Sequence, residues 1–175
     1  MTTLSETKKR YILHWGEMGT RWGINRTVAQ IHALLYLAPQ PLPADEIART
    51  LSVARSNVST SLRELQSWGL VHPVHILGDR REHYQALKDV WEMFRLIIEQ
   101  RKRREVDPTR ELLRQCLAEA ERGDAYFRER LHEMSEFFET MTGLYEEVRQ
   151  MPPGAVRALG HMRGKLRKLL HFQAG

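Results

Sequence analysis

Apolar positions along this chain recur at steps of three and four almost throughout, with one short interval of alternation. That spacing puts apolar side chains on one face of a helix. Tyr11, Ile12 and Trp15 mark a first helix over 4–18. Ile24, Val28, Ile31, Leu34 and Leu35 mark a second over 24–38. "PQPLP" at 39–43 stops it, because proline disfavours helix in the residue before it. Short helices follow over 44–51, carrying Ile47, Ala48 and Leu51, and over 55–68. The alternating interval comes next: "LVHPVHIL" and "REHYQAL" flank Gly78-Asp79, a hairpin signal, and predict a two-stranded ribbon.

Beyond residue 88 the helical pattern returns. Val90, Trp91, Phe94, Ile97 and Ile98 predict a helix over 88–106. "DP" at 107–108 reads as a boundary, with aspartate as N-cap and proline at the first helical position. Leu112, Leu113, Cys116, Leu117 and Ala120 predict a helix over 108–122. Phe127, Leu131, Met134, Phe138, Met141, Tyr145 and Val148 then form a heptad seam within 124–150, a pattern that packs helix on helix. The seam serves either a bundle within the chain or a second subunit. Val156, Leu159, Met162, Leu166 and Leu169 repeat the theme over 155–172. The fold class expected is mainly α with a small β-hairpin.

The segment 55–68 has an unusual polar face. On a helical wheel Val58, Leu62 and Leu65 fall together with Ser61 beside them, facing a core. Ser56, Ser59, Thr60, Arg63 and Ser67 lie opposite, with Asn57 and Glu64 on a flank. A helix that enters a major groove needs a slim tip bearing short donors and acceptors. A short helix precedes this one by the turn "SVA", and the hairpin that follows has the tip "GDRRE". Arg80 and Arg81 either contact a phosphate backbone or minor groove, or pair with Asp79 and Glu82 in a solvated turn. Together these elements make a winged helix-turn-helix.

The net charge of +5 favours an anionic partner without deciding it. Arg101-Lys102-Arg103-Arg104 reads first as a solvated helix end and second as a phosphate patch. The single cysteine, Cys116, sits among leucines and suits a reducing compartment. With no signal-like or membrane-length apolar run, a cytoplasmic location is expected. No phosphate loop, H-E-x-x-H or strained nucleophile turn is present, so no enzymatic activity is expected. No metal site is expected either, since His72 and His75 have opposite strand parity.

"ADEIARTLSVARSNVSTSLRELQSWGLVH" followed by "GDRREHYQA" resembles the MarR superfamily of bacterial transcriptional regulators. The flanking "NRTVAQIHALLYLAPQPLPADEIA" and "DVWEMFRLIIEQRKRREVDP" resemble its GbsR branch, named for a regulator of glycine-betaine synthesis. The resemblance implies three regions: an N-terminal helix at 1–23, a DNA-binding winged helix at 24–87, and a helical dimerisation and effector region at 88–175. It implies a homodimeric repressor or activator, a repressor in the first instance, on a near-palindromic duplex site. The implied DNA contacts are Arg55, Ser56, Asn57, Ser59, Thr60 and Arg63 on the recognition helix and Asp79, Arg80 and Arg81 on the wing. Family members often bind a small effector near the lobe–dimer junction. The aromatic candidates there are Tyr11, Trp15, Trp22, Trp91 and Phe94, and such a cage suits a quaternary ammonium. No other cofactor is expected. The rival reading is a winged-helix protein-interaction module without DNA binding.

Overall fold

The computed structural model describes residues 4–120, 124–152, 154, 155 and 158. The chain divides into two compact units, Met1–Ile98 and Glu99–Gly175. The first contains α1 (Glu6–Arg21), α2 (Arg26–Leu37), β1 (Leu42–Pro43), α3 (Ala44–Leu51), α4 (Arg55–Ser67), β2 (Val71–Val74) and β3 (His83–Ala86). Helix α5 (Val90–Arg101) follows, then a π-helical turn over Lys102–Val106, α6 (Asp107–Glu119) and α7 (Ala125–Gln150). The second seam expected over 155–172 falls largely outside the described residues.

Local chemistry sets the helix starts. The Ser5 hydroxyl accepts from the Lys8 amide, the Asn25 side chain from those of Thr27 and Val28, and the Asp124 carboxylate from those of Tyr126 and Phe127. Helix α2 is apolar on most sides and forms the centre of the first unit: Val28, Ile31, Leu34 and Leu35 are all buried. Around it pack Ile12 of α1, Ile47 of α3, Val58, Leu62 and Leu65 of α4, and Leu70, Val71, Tyr84 and Ala86 of the sheet. Lys88 closes the C-terminus of α2. Its ammonium donates to the carbonyls of Leu35, Tyr36 and Ala38 at 2.8–2.9 Å. A cation is favoured where the helix leaves carbonyls unpaired.

The ribbon has three strands, not two, in the order β1-β3-β2. Val71 pairs with Ala86 and Val74 with His83, while Leu42 pairs with Tyr84 and Pro43 with His83. The added strand was hidden by Pro41 before it and Pro43 within it. A two-residue pairing on an edge tolerates proline, because the missing N–H can face away from the ladder.

Two further expectations are corrected. Asp107 does not cap a new helix: its φ of −62° and ψ of −42° are helical, and the backbone passes through the π turn into α6. Pro108 needs no backbone donor partner, and a widened turn relieves its ring from the preceding carbonyl. The Asp107 carboxylate instead receives the Lys102 ammonium at 3.0 and 3.2 Å. On α5 the buried residue is Met93, whereas Val90 and Phe94 are exposed.

In the second unit α6 lies against α7. Leu113 is the buried apolar residue of α6, and α7 has none. The heptad seam splits into two columns. Leu131, Phe138 and Tyr145 are half-buried, while Phe127, Met134, Met141 and Val148 are exposed. Phe137 and Leu144 extend the open column and are 57% and 54% exposed. Polar links supplement the packing. Tyr145 donates to Glu99 at 2.9 Å, which keeps that carboxylate ionised to lower pH than usual, and Arg110 forks onto Glu139.

Candidate nucleic-acid interface

Helix α3 ends at Ser52, whose φ of 55° places it in the left-handed region, and Val53 and Ala54 complete the turn into α4. Ala54 caps α4 without a side-chain acceptor. The amides of the first turn therefore remain available to an anion such as a DNA phosphate. At the other end Gly69, with φ of 73°, lets its own amide bond Gln66 and that of Leu70 bond Leu65, closing the helix.

The wheel reading of α4 holds: Val58, Ser61, Leu62 and Leu65 are buried. Arg55, Ser56, Asn57, Thr60 and Arg63 are exposed, and Ser59 is half-buried. Their side chains are not equally free. Arg55 is braced by Asp45 of α3, which accepts from Nε at 2.7 Å, and by the Ser59 hydroxyl at 2.6 Å from Nη1. Ser59 also donates to the Arg55 carbonyl. Thr60 accepts a longer contact from Arg63 at 3.4 Å. Ser56 and Asn57 have no side-chain partner among the described residues, so their donors and acceptors are open. Glu64, on the flank, forms no ion pair among the described residues.

On the wing the two arginines of the pair differ. Arg80 is exposed and unpaired among the described residues. Arg81 forks onto Asp79: Nε meets Oδ1 at 3.0 Å and Nη2 meets Oδ2 at 2.6 Å, while the Arg81 amide also donates to Oδ1. This bidentate grip holds the Asp79 carboxyl well below the usual carboxylate range and raises the Arg81 guanidinium further. Gly78, with φ of 84°, makes the turn that brings them together. Ile76 and Leu77 beside it are exposed, Leu77 fully.

Asp45 supports the recognition helix through Arg55. Its bond from Arg55 pulls its carboxyl below the usual range, and the charges of Arg49 and Arg81 pull it the same way. One carboxylate thus braces the recognition helix and feels the charge of the wing arginine, and the sequence reading did not select it. Ten residues separate Asp45 from Arg55 across a turn, and no short motif marks such a pair.

The run at 101–104 lies in the second unit and is largely paired internally. Arg101 meets Glu105, Lys102 meets Asp107 and Arg103 meets Glu99. These contacts match the solvated helix end rather than a phosphate patch.

The aromatic candidates separate as well. Tyr11 stacks on Trp15 at 5.7 Å, and Trp15 meets Trp22 edge-on at 6.4 Å. A small recess of about 30 Å³ is lined by Trp15 and Trp22 together with Trp68, Ile24, Val28, Leu65 and Ile97. Tyr11, Trp91 and Phe94 do not line it. His32 does, and it is 4% exposed with Nε2 lacking a partner among the described residues. Burial, with the nearby Lys88 charge, lowers the His32 pKa to about 4, so the ring is neutral near pH 7. Among the described residues no group of histidine, cysteine and carboxylate side chains could hold a metal, and no helix is long and apolar enough to cross a membrane.

This arrangement can be compared with known proteins. Residues 22–82 match the MarR family. They make up about a third of the chain and include α2 to α4 and the wing tip. A crystal structure of a transcriptional regulator superposes with a TM-score of 0.65 at 18% identity, covering 82% of this chain and 95% of that one. Together with the family match, it shows a MarR-type winged-helix fold. A complex of Staphylococcus aureus MepR with DNA gives a TM-score of 0.37 at 15% identity, over 94% of this chain and 92% of that one. The transcriptional regulator Tm0710 from Thermotoga maritima gives 0.39 at 17% identity, over 81% and 90%. No curated protein matches the chain.

Proposed function

We propose that the protein is a DNA-binding transcriptional regulator that acts as a homodimer, with α4 in the major groove and the wing against the minor groove. The observation that carries the reading is an open polar helix tip, with Arg55 braced by Asp45, together with a wing arginine pre-ordered by Asp79. Asn57, Ser56 and Thr60 offer short side chains to base edges; Arg80 and the first-turn amides suit phosphates; Arg81 suits a narrow groove. Asp79 orients Arg81 rather than touching DNA itself.

The dimer is supported by the open column of α7, which a second copy of this chain would cover. Paired winged helices then read half-sites about 34 Å apart. In line with the GbsR-like sequence, the output is repression, relieved by a small organic effector. The Trp15–Trp22–Trp68 recess is the effector's first contact, and a quaternary ammonium is the ligand class its aromatic walls suit. At about 30 Å³ the recess is small, so a ligand displaces Trp22, which is 43% exposed.

The test is selection from a random duplex pool at two salt concentrations. A near-palindromic site should be enriched, with affinity falling steeply as salt rises. No enrichment, with binding absent or indifferent to salt, overturns the reading in favour of a protein-interaction module.

A further inference from the structure

The wing contains a histidine to which the interface above gives no role. His83 opens β3 and is 4% exposed, seated between Pro43 of β1 and Val74 of β2 in the strand register. Its Nδ1 lies 3.0 Å from the Arg81 carbonyl oxygen. Its Nε2 lies 3.4 Å from Oδ2 of Asp79, the same oxygen that accepts from Nη2 of Arg81 at 2.6 Å. Imidazole, carboxylate and guanidinium therefore form one chain that begins in the sheet and ends on the exposed wing arginine. Both ring nitrogens face oxygen acceptors, so either tautomer donates to part of this turn. The residue is buried and paired with a strand on either side, which limits how far the ring can move. A carboxylate on a glycine-containing turn would otherwise be free to rotate with its arginine.

We propose that His83 is a positioning residue for DNA recognition: it anchors Asp79, and through it fixes the Arg81 guanidinium in the orientation the wing presents to a duplex. The inference rests on the DNA-binding reading above. An arginine ordered before binding loses less side-chain freedom on binding, and the same bonds make its direction specific.

The experiment uses the full chain, the duplex enriched from the random pool and a scrambled duplex of equal length. His83→Leu fills the site without a donor, and His83→Gln restores an N–H. Arg81→Ala, the His83→Leu/Arg81→Ala double variant and thermal melting complete the set. His83→Leu is expected to weaken binding to the enriched duplex about three- to tenfold, and the scrambled duplex less. His83→Gln should recover most of that loss. In the Arg81→Ala background His83→Leu should add nothing, because the group it positions is gone. Should His83→Leu melt far below the parent, Asp79→Asn, which changes a half-buried side chain outside the core, runs the same cycle against Arg81→Ala. An equal loss with and without Arg81 overturns the proposal, since the ring would then serve the fold alone. Unchanged affinity overturns it too. So does tighter binding, which would mean that Asp79 withholds Arg81 from DNA. If the parent chain enriches no duplex, the DNA-binding reading itself falls before any variant is made, and this inference falls with it.

Discussion

Helix α4 and helix α7 have comparable amphipathic patterns and opposite fates. Over 13 residues α4 buries four side chains in a core to which every element around it contributes. Over 26 residues α7 buries none completely, and six of its large apolar residues between Phe127 and Val148 stand about 37–57% exposed. Periodicity says that a helix has an apolar face. It does not say whose surface that face meets. In the first unit α2 supplies a partner on several sides, so the winged helix closes on itself. In the second, α6 is short and covers one column of a two-column seam. Fully burying an apolar side chain contributes about 1.5–3 kcal/mol, so an open column of this size is a strong reason to associate.

The largest effect should therefore come from the open column. Met141→Glu places a charge near its middle and should convert the proposed dimer to a monomer at micromolar concentration, as read by light scattering. DNA affinity should fall on the order of a hundredfold, because two linked half-site contacts become one. Melting of the first unit should hardly move. A variant that remains dimeric would show that the association uses another surface.

The same comparison predicts that core truncation harms the first unit and not the second. Leu62→Ala removes a side chain that is 1% exposed and should cost about 2–5 kcal/mol in denaturant unfolding. Leu144→Ala, on the open column, should cost the isolated monomer well under 1 kcal/mol. Similar losses at both positions would mean that the column is covered within the chain.

A pH dependence separates the units further. His32 ionises at about 4 when folded, against 6.5 for an unperturbed imidazole in the unfolded chain. The unfolded state therefore binds protons first. Stability from this group is complete above pH 6.5 and is lost as pH falls toward 4. Between pH 7 and pH 5 the loss should be about 2 kcal/mol. His32→Gln, neutral throughout, should flatten that part of the profile. If the parent is equally stable at both values, the ring is not buried neutral.

Much of the first unit was legible in the sequence because its signals are local. Pro39 and Pro41, the "SVA" turn, Gly69 and Gly78 punctuate short elements, and the face of α4 follows from its own spacing. What escaped depends on pairs distant in the chain. Strand β1 pairs across about forty residues and contains a proline. Asp45 meets Arg55 from another helix, and Lys88 reaches carbonyls some fifty residues away. The engagement of Ser59 by Arg55 is local, yet a wheel shows direction and not partners. At Asp107 a sound local rule met a widened turn, and the carboxylate bonded Lys102 instead of amides.

The smallest predicted effect concerns how the second unit holds together with so little buried. Tyr145 belongs to the covered column of α7, and its hydroxyl donates to Glu99 while burial and that carboxylate push its own pKa up to about 12. Tyr145→Phe keeps the ring and deletes one hydrogen bond to a charged acceptor. The expected cost is about 1 kcal/mol in unfolding of the second unit, with the DNA contacts of the first unit untouched. Glu99 also pairs with Arg103, so part of its charge remains compensated, which keeps the loss small. Tyr145→Ala should cost more, since the packing goes with the bond. If Phe and Ala are equivalent, the ring contributes no packing, and the column described as covered is as open as its neighbour.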